Sequence, residues 1–510
     1  METYCDEVQE VGMRVLFTSS EAYPLAKTGG LADVSAALSS AIAKLGADIR
    51  LILPGYPTAL AAAVNKSVVA EFYDAFGTTR LISATTPDNG LPLWLVDCPA
   101  LFRREGDLYH DHRGTAWPDN ARRFAHLSRV AAWLALGDLI PDWQADVVHA
   151  NDWQTGLLPL LLSGNRGTRP ATLFTIHNLA YQGLFPASVL PDLGLPGSVF
   201  TPEGIEFYGR VSLLKAGIRY SDRLNTVSPS YAREIVTPEH GCGLHGLLRH
   251  RGRHLSGILN GADYRIWDPV NDPHLPKYFS RRDISGKRIC KTQLQRELGL
   301  EVAPDIPLIV SVSRLTDQKM ADVVLDALPA ILERGAQLAL LGQGDPALEN
   351  RFRDAARRYP AQIAARIGYE EPLAHRLHAG GDMLLHPSRF EPCGLAPLYA
   401  LRYGTLPVVR QVGGLCDTIV DAGHRNIALG TATGFAFREA TTGAMVECLD
   451  RALALYQQPI VWRKIQRQAM SRDFGWGASA RRYLALYQEL APHAAPVEEQ
   501  EEEALQRAAG

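Results

Sequence analysis

Two α/β domains, each built on a parallel sheet with helices over both faces, are predicted by three observations. Short apolar strand patterns alternate with helical patterns in two separate blocks of the chain. With 510 residues the chain exceeds one ordinary core. The stretch between the blocks, around Gly257-Ile-Leu-Asn-Gly261 and Trp267-Asp-Pro269, is rich in Gly, Asp and Pro, the composition of a junction.

The first block opens with a strand at residues 13–19, a loop through Gly29-Gly30, a helix at 31–45 and a strand at 48–53. A helix at 120–136, a strand at 145–149, a short helix at 155–162 and a strand at 172–176 follow. The second block is regular: strand 307–313, helix 321–333, strand 337–341, helix 346–358, strand 362–367, helix 371–379, strand 382–385, helix 395–402, strand 406–409. Strands separated by helices pair in parallel, because a crossover must return the chain to the same end of the sheet. The expected domains are residues 1–256 and 257–470, with a closing helix at 471–490 that overlaps a helix-like 460–487 segment, and a tail at 491–510. In that tail Glu498-Glu-Gln-Glu-Glu-Glu503 reads as a solvated, disordered charge run.

Composition excludes several classes. A formal net charge of −3 leaves no electrostatic footprint for nucleic acid or an anionic membrane. No apolar run is long enough to span a bilayer, and the start, Met1-Glu-Thr-Tyr-Cys-Asp-Glu, lacks the basic and apolar regions of a secretion signal. Seven cysteines, scattered without a CxxC, suit reduced thiols in a cytoplasmic enzyme.

Chemistry concentrates in two segments. In Ser311-Val-Ser-Arg-Leu-Thr-Asp-Gln-Lys319 a strand gives way to a helix, and Arg314 and Lys319 stand at that boundary. A cationic fork and a point charge beside a helix N-terminus suit a diphosphate. In Ser388-Arg-Phe-Glu-Pro-Cys-Gly-Leu395, Glu391 precedes the turn residue Gly394. A carboxylate repels phosphate and accepts hydrogen bonds from hydroxyls, so the pair of segments describes a nucleotide sugar. Lys27 in the glycine-rich loop Lys27-Thr-Gly-Gly-Leu-Ala-Asp33, Asp152, His177, Arg314, Lys319 and Glu391 all follow strands. Ligands of open α/β sheets bind at such ends, so residues from both domains point to one solvated inter-domain cleft. Asp152 is the carboxylate there that could act as a nucleophile. His177 is either a site residue or a satisfied core histidine.

Two further patterns compete. Gly342-Gln-Gly344-Asp-Pro-Ala347 matches a dinucleotide fingerprint, but Asp345 would repel a pyrophosphate, and a dehydrogenase leaves Arg314, Lys319 and Glu391 without employment. His240, Cys242, His245, His250 and His254 have spacings that could suggest zinc, while the interleaved glycines and arginines favour a mobile basic loop.

The segments KTGGLADV, HANDW (149–153), TIHNLAYQG (175–183), VSPSYAREI (227–235), GILNGADYRIWDP (257–269), SVSRLTDQK, LLGQGD, IGYEE, PSRFEPCGL and ALRYGTLPVVRQVGGLCDT together resemble the bacterial glycogen synthases and plastid starch synthases. The resemblance runs from about Met13 to DFGWGASARRYLALY (473–487). It implies the GT-B architecture of two Rossmann-like doubly wound domains, with a C-terminal helix returning to the N-domain. It also implies transfer of glucose from ADP-glucose to the nonreducing 4-hydroxyl of an α-1,4-glucan, with retention and without a metal or other cofactor. Carried over by position, Arg314 and Lys319 match the diphosphate-binding pair and Glu391 the carboxylate near the glucosyl hydroxyls. Cys393, Gly394 and Leu395 match the loop that meets the distal phosphate. Lys27 and Gly30 match the N-domain loop that closes on the donor, with Asp33 in the same motif. Asp152, His177 and Asn260 match polar residues around sugar and acceptor, and Tyr369 matches the aromatic that stacks on adenine. The resemblance favours same-face attack over an Asp152 nucleophile. The chain departs from the family at His245, where an acidic residue is usual, and at Ala396-Pro397, where Thr-Gln is usual. That second departure keeps open a regulatory relative that binds glucan or nucleotide without turnover.

Overall fold

The computed structural model describes residues 12–165 and 167–492. The acidic run at 498–503 and the N-terminal Met1-Glu-Thr-Tyr-Cys-Asp-Glu lie outside the described residues. The chain forms two compact units. Unit 1 holds the chain up to Val227, Ala232–Ile258 and the chain from Trp476 onward; unit 2 holds Ser228–Tyr231 and Leu259–Gly475.

Unit 1 is built on a nine-stranded sheet. Its first strands are β1 (Arg14–Thr18), β2 (Asp48–Pro54), β3 (Val64–Asp74), β4 (Gly77–Thr85), β5 (Pro92–Asp97), β6 (Val147–Asn151) and β7 (Ala171–Ile176). A separate three-stranded sheet contains β8 (Leu184–Pro186), β9 (Glu206–Phe207) and β10 (Arg210–Ser212). The large sheet is completed by β11 (Arg223–Thr226) and β12 (Leu255–Gly257), giving the order β12-β11-β7-β6-β1-β2-β5-β4-β3. Pairing is parallel from β12 to β5, but β4 runs antiparallel to both β5 and β3. The sheet is therefore mixed rather than purely parallel. The buried strands read as apolar runs because both faces are covered: every residue of β6 is buried. The strand at 145–149 in fact begins two residues later and runs on to Asn151, which sets Asp152 directly at its end.

Unit 2 has a six-stranded parallel sheet of order β15-β14-β13-β16-β17-β18. These strands are β13 (Leu308–Val312), β14 (Gln337–Gly342), β15 (Ile363–Ile367), β16 (Met383–His386), β17 (Leu406–Arg410) and β18 (Phe435–Phe437). Side chains alternate between two cores. Ile309, Leu338, Leu340, Met383 and Leu385 enter one, while Leu308, Val310, Ala339, Leu341 and Leu384 enter the other.

The helix-like 460–487 segment is two helices, Pro459–Ala469 and Trp476–Leu490. The turn between them is held in unit 2: Phe474 N donates to Tyr264 Oη at 2.8 Å, and Ala262 N donates to Phe474 O at 2.8 Å. The helix Trp476–Leu490 packs within unit 1. Its buried Tyr487 hydroxyl meets His149 Nδ1 at 2.7 Å, and Asn225 donates to the Tyr483 hydroxyl at 2.7 Å.

Candidate active site

In unit 2 the strand order reverses between β13 and β16, the point where open sheets leave a crevice at their carboxyl ends. Arg314 and Lys319 follow β13, and Glu391 follows β16, so the fold brings the two sequence segments side by side. Lys319 Nζ forms an ion pair with Glu391 Oε2, and the two side chains are only 12% and 6% exposed. Lys319 is therefore not a solvated cleft residue, because its charge is committed to a buried carboxylate. The same Oε2 accepts from Ser388 Oγ at 2.9 Å and meets His386 Nε2 at 3.0 Å. Burial alone would raise the Glu391 carboxyl, but the Lys319 ammonium and the His386 ring overcome it and hold the group far below the carboxylate range. Burial and the nearby Lys319 charge lower His386.

Arg314 is exposed, and its guanidinium reaches Gln318 Oε1 at 3.5 Å. Gln318 Nε2 in turn donates to Phe390 O at 3.2 Å, tying the β13 loop to the β16 loop. The helix Ala321–Glu333 carries Asp322 in its first turn, gripped by Arg389 Nη2 at 2.7 Å. A carboxylate already occupies that N-terminus, so this helix start is not the open anion site that the sequence suggested.

Gly394 has φ of +88° and caps the helix Leu395–Arg402. A Cβ there would also stand 3.0 Å from the Leu415 side chain, so the left-handed backbone favours glycine and the space beside it is tight. Cys393 and Asn260 are both buried in this region. Burial pushes the Cys393 thiol up to about 12, partly offset by the Asn260 backbone N–H. Ser228 Oγ donates to Pro392 O at 2.6 Å, fixing the loop from its other side. Tyr369 stands after β15, 61% exposed, with its hydroxyl on Glu371 Oε2 at 2.5 Å.

In unit 1 the corresponding reversal lies between β1 and β6. Lys27 Nζ pairs with Asp33 Oδ1 at 2.8 Å and lies 5.2 Å from the Tyr23 ring centre. The buried Glu21 organises the loop. It accepts from Thr28 N at 2.7 Å, Thr28 Oγ1 at 2.7 Å, Gly29 N at 3.2 Å and the Tyr109 hydroxyl at 2.6 Å. The helix Gly30–Ala43 starts immediately after. Gly29 has φ of −157°, and a Cβ there would meet nothing within 4 Å, so nothing in the chain itself requires glycine at that position.

Asp152 has φ of +57°, a sparsely populated region for a non-glycine residue. Its backbone N donates to Thr175 O at 3.0 Å, and its Oδ1 accepts from His177 N at 2.8 Å and Asn178 N at 3.4 Å. Burial raises the Asp152 carboxyl to about 7, against the pull of those amides. His177 sets its Nε2 2.9 Å from Asn151 Oδ1, and burial lowers its imidazole to about 3. A neutral imidazole beside a half-protonated carboxyl can shape and hydrogen-bond a sugar without carrying fixed charge.

The competing patterns resolve in structural terms. Gly342 and Gly344 lie against the backbone after β13, where a Cβ would fall 2.0 Å from Ser313 O and 2.3 Å from Leu315 O. Asp345 caps the helix Pro346–Arg358 by accepting from Ala347 N at 2.7 Å, the amide a pyrophosphate would need. The region expected as a mobile loop is folded: His245–His250 is helical, and the Arg251 guanidinium donates to the carbonyls of Ile218, Arg219 and Ser221 at 3.1, 2.9 and 2.7 Å. Among the described residues no group of three His, Cys, Asp or Glu side chains could hold a metal ion.

Sequence reasoning missed Glu21, Tyr109, His386, Ser388 and Gln318. Ser388 lay within a recognised motif, but as a bond to Glu391 it becomes visible only once the loop is folded.

Comparison with known proteins identifies a family over most of the chain. Residues 14–250 match the family model described as starch synthase catalytic domain, and residues 299–469 match glycosyl transferases group 1. The glycogen synthase of Paramagnetospirillum magneticum is 54% identical over 482 residues, covering 94% of this chain and 98% of that protein. That of Thioalkalivibrio sulfidiphilus is 50% identical over 94% of this chain and all (100%) of its own length. Among solved structures, the catalytic domain of starch synthase IV from Arabidopsis thaliana, bound to ADP and acarbose, matches with a TM-score of 0.86 at 32% identity, covering 94% of this chain and 100% of that one. Two Rossmann-like units with these motifs and relatives leave one assignment: the chain belongs to the glycogen and starch synthase family, the GT-B glycosyltransferases that elongate glycogen.

Proposed function

We propose that the chain transfers glucose from ADP-glucose to the nonreducing 4-hydroxyl of an α-1,4-glucan in the cytoplasm, with retention of configuration. The observation that carries this reading is the Lys319–Glu391–His386 cluster at the β13/β16 reversal, flanked by Arg314. A lysine has three donors. Lys319 keeps Glu391 ionised with one and meets a phosphate oxygen of the leaving group with another, while Glu391 turns its second oxygen to glucosyl hydroxyls. The ADP of the starch synthase IV complex supports a diphosphate in this role.

Cleavage of the sugar–phosphate bond develops negative charge on the leaving diphosphate and positive character on the sugar. Arg314 and Lys319 stabilise the first more in the transition state than in the ground state. Gly394 and Leu395 bring backbone N–H groups to the distal phosphate, with Cys393 packed beneath, and Tyr369 stacks on the base. Of the further contacts that the family resemblance implies, Lys27, Gly30 and Asp33 serve the donor and Asp152 and His177 the sugar and acceptor in unit 1, and Asn260 serves the sugar or acceptor in unit 2. Same-face attack, with the leaving phosphate oxygen taking the acceptor proton, is favoured over an Asp152 nucleophile. A carboxyl raised to about 7, with one oxygen engaged by two amides, is a poor attacking group.

The test is ADP release from ADP-glucose in the presence of glycogen, compared between wild type, Arg314→Ala and Lys319→Ala. Rates in the variants equal to wild type would remove these cations from the reaction.

A further inference from the structure

The helix Pro459–Ala469 buries Trp462, Ile465 and Ala469 in the core of unit 2, and Gln466 Nε2 donates to Gly404 O at 2.8 Å. Its other face carries Arg463, Lys464 and Arg467, all exposed. Together with the exposed Arg281 and Arg282 they line an open surface cleft of about 810 Å³. The rest of the lining includes Gln468 and Ser471 and no carboxylate. Asp283, next in sequence, turns its own carboxylate to the Ser285 amide at 3.0 Å.

Several other surface arginines of unit 2 are neutralised. Arg334 pairs with Asp450, Arg376 with Glu297, Arg389 with Asp322 and Arg451 with Asp421. The five cations of the cleft form no ion pair among the described residues. Arg467, in the last turn of its helix, is favoured there by the helix carbonyls. That argument does not reach the other four, whose mutual repulsion is unfavourable until an anion sits among them. Scattered surface cations keep a protein in solution; five lining one concavity of ligand size, in a chain of net charge −3, are a different arrangement.

We propose that this cleft binds a small polyanion carrying two or more phosphate groups, at a site that shares no residue with the donor loops. Arginine forks supply paired donors for each phosphate, and the helix that presents three of the cations is fixed by its buried face. The size of the concavity favours a metabolite over a polymer.

The test is equilibrium titration of the full chain, at near-physiological salt, with inorganic tripolyphosphate and with a hexose bisphosphate. Wild type is compared with Arg463→Gln/Arg467→Gln, and with Arg314→Ala as a donor-loop control. Both probes should bind wild type and Arg314→Ala alike at this site, and the double variant should lose at least tenfold in affinity. Preference for the hexose bisphosphate identifies sugar phosphates as the ligand; preference for tripolyphosphate identifies a short inorganic oligophosphate. Affinity unchanged in the double variant, binding lost in Arg314→Ala alone, or tighter binding of a short DNA duplex would each overturn the proposal. Should the double variant fold poorly by circular dichroism, Arg281→Gln/Arg282→Gln carries the same expectations.

Discussion

Lys319 serves a buried carboxylate and, in the proposed reaction, a phosphate, so its replacement should be felt twice. Lys319→Ala is expected to lower kcat/KM by two to four orders of magnitude, roughly 3–5 kcal/mol, through loss of leaving-group stabilisation. It should also lower stability in urea unfolding, because Glu391 is left ionised and buried without its counter-charge. Arg314→Ala should show the kinetic loss alone, since Arg314 is exposed. The pH dependence has a definite sign. Glu391 is held below its ordinary value, so its contribution is complete above about pH 4.3 and lost as the pH falls through its folded value. Asp152 is the reverse case. Raised to about 7, it binds a proton in the folded chain that the unfolded chain releases above about pH 3.9, so stability falls as the pH rises between those values. Asp152→Asn, which tolerates the same backbone conformation, should therefore be more stable than wild type at pH 8, by roughly 1–3 kcal/mol, while turning over more slowly. Equal or lower stability in thermal unfolding at pH 8 would contradict this. At this scale the sequence disclosed charges at strand ends, because Lys319 and Glu391 follow apolar runs. It did not disclose that they neutralise one another, nor that Glu21 takes the Thr28 and Gly29 amides, since those partners meet only through the loops' final path.

In the proposed reaction, donor binding turns on the helix Leu395–Arg402. Gly394→Ala would place a side chain at φ of +88° against Leu415, and should lower both stability and kcat/KM for the donor. Pro397 lies in the first turn, where its missing N–H has no intrahelical partner, and Ala396 offers no hydroxyl. A hydrogen bond to a charged group contributes about 1.5–3 kcal/mol, so Ala396→Thr is expected to raise kcat/KM for ADP-glucose about tenfold, near 1.4 kcal/mol. A value at or below wild type would place the phosphate away from this helix start. The elements of the second block were legible because buried parallel strands and short amphipathic helices alternate without interruption. The hairpin β3–β4 was not: β3 is an edge strand whose apolar residues Val64, Val68 and Tyr73 face outward, so it carries no clean alternation. The helix-like 460–487 segment is broken where Gly475 bridges Ala262, a tertiary contact with no local signature beyond the glycine.

For the molecule as a whole, the family assignment was legible because its motifs fall at strand ends in both units, and strand ends are what a doubly wound sheet brings together. The cleft of Arg281, Arg282, Arg463, Lys464 and Arg467 was not legible, because its two segments are far apart in sequence and neither resembles a motif. If Arg314 and Lys319 supply the positive charge for the leaving diphosphate, exhaustive chelation should leave turnover nearly intact; loss of activity restored by added divalent cation would assign that role to a metal. The central claim is the transfer itself. Wild-type protein mixed with ADP-glucose and glycogen should release one ADP for each glucosyl unit added in α-1,4 linkage at nonreducing ends. Absence of glycogen-dependent ADP release, or faster transfer from UDP-glucose than from ADP-glucose, would contradict the account.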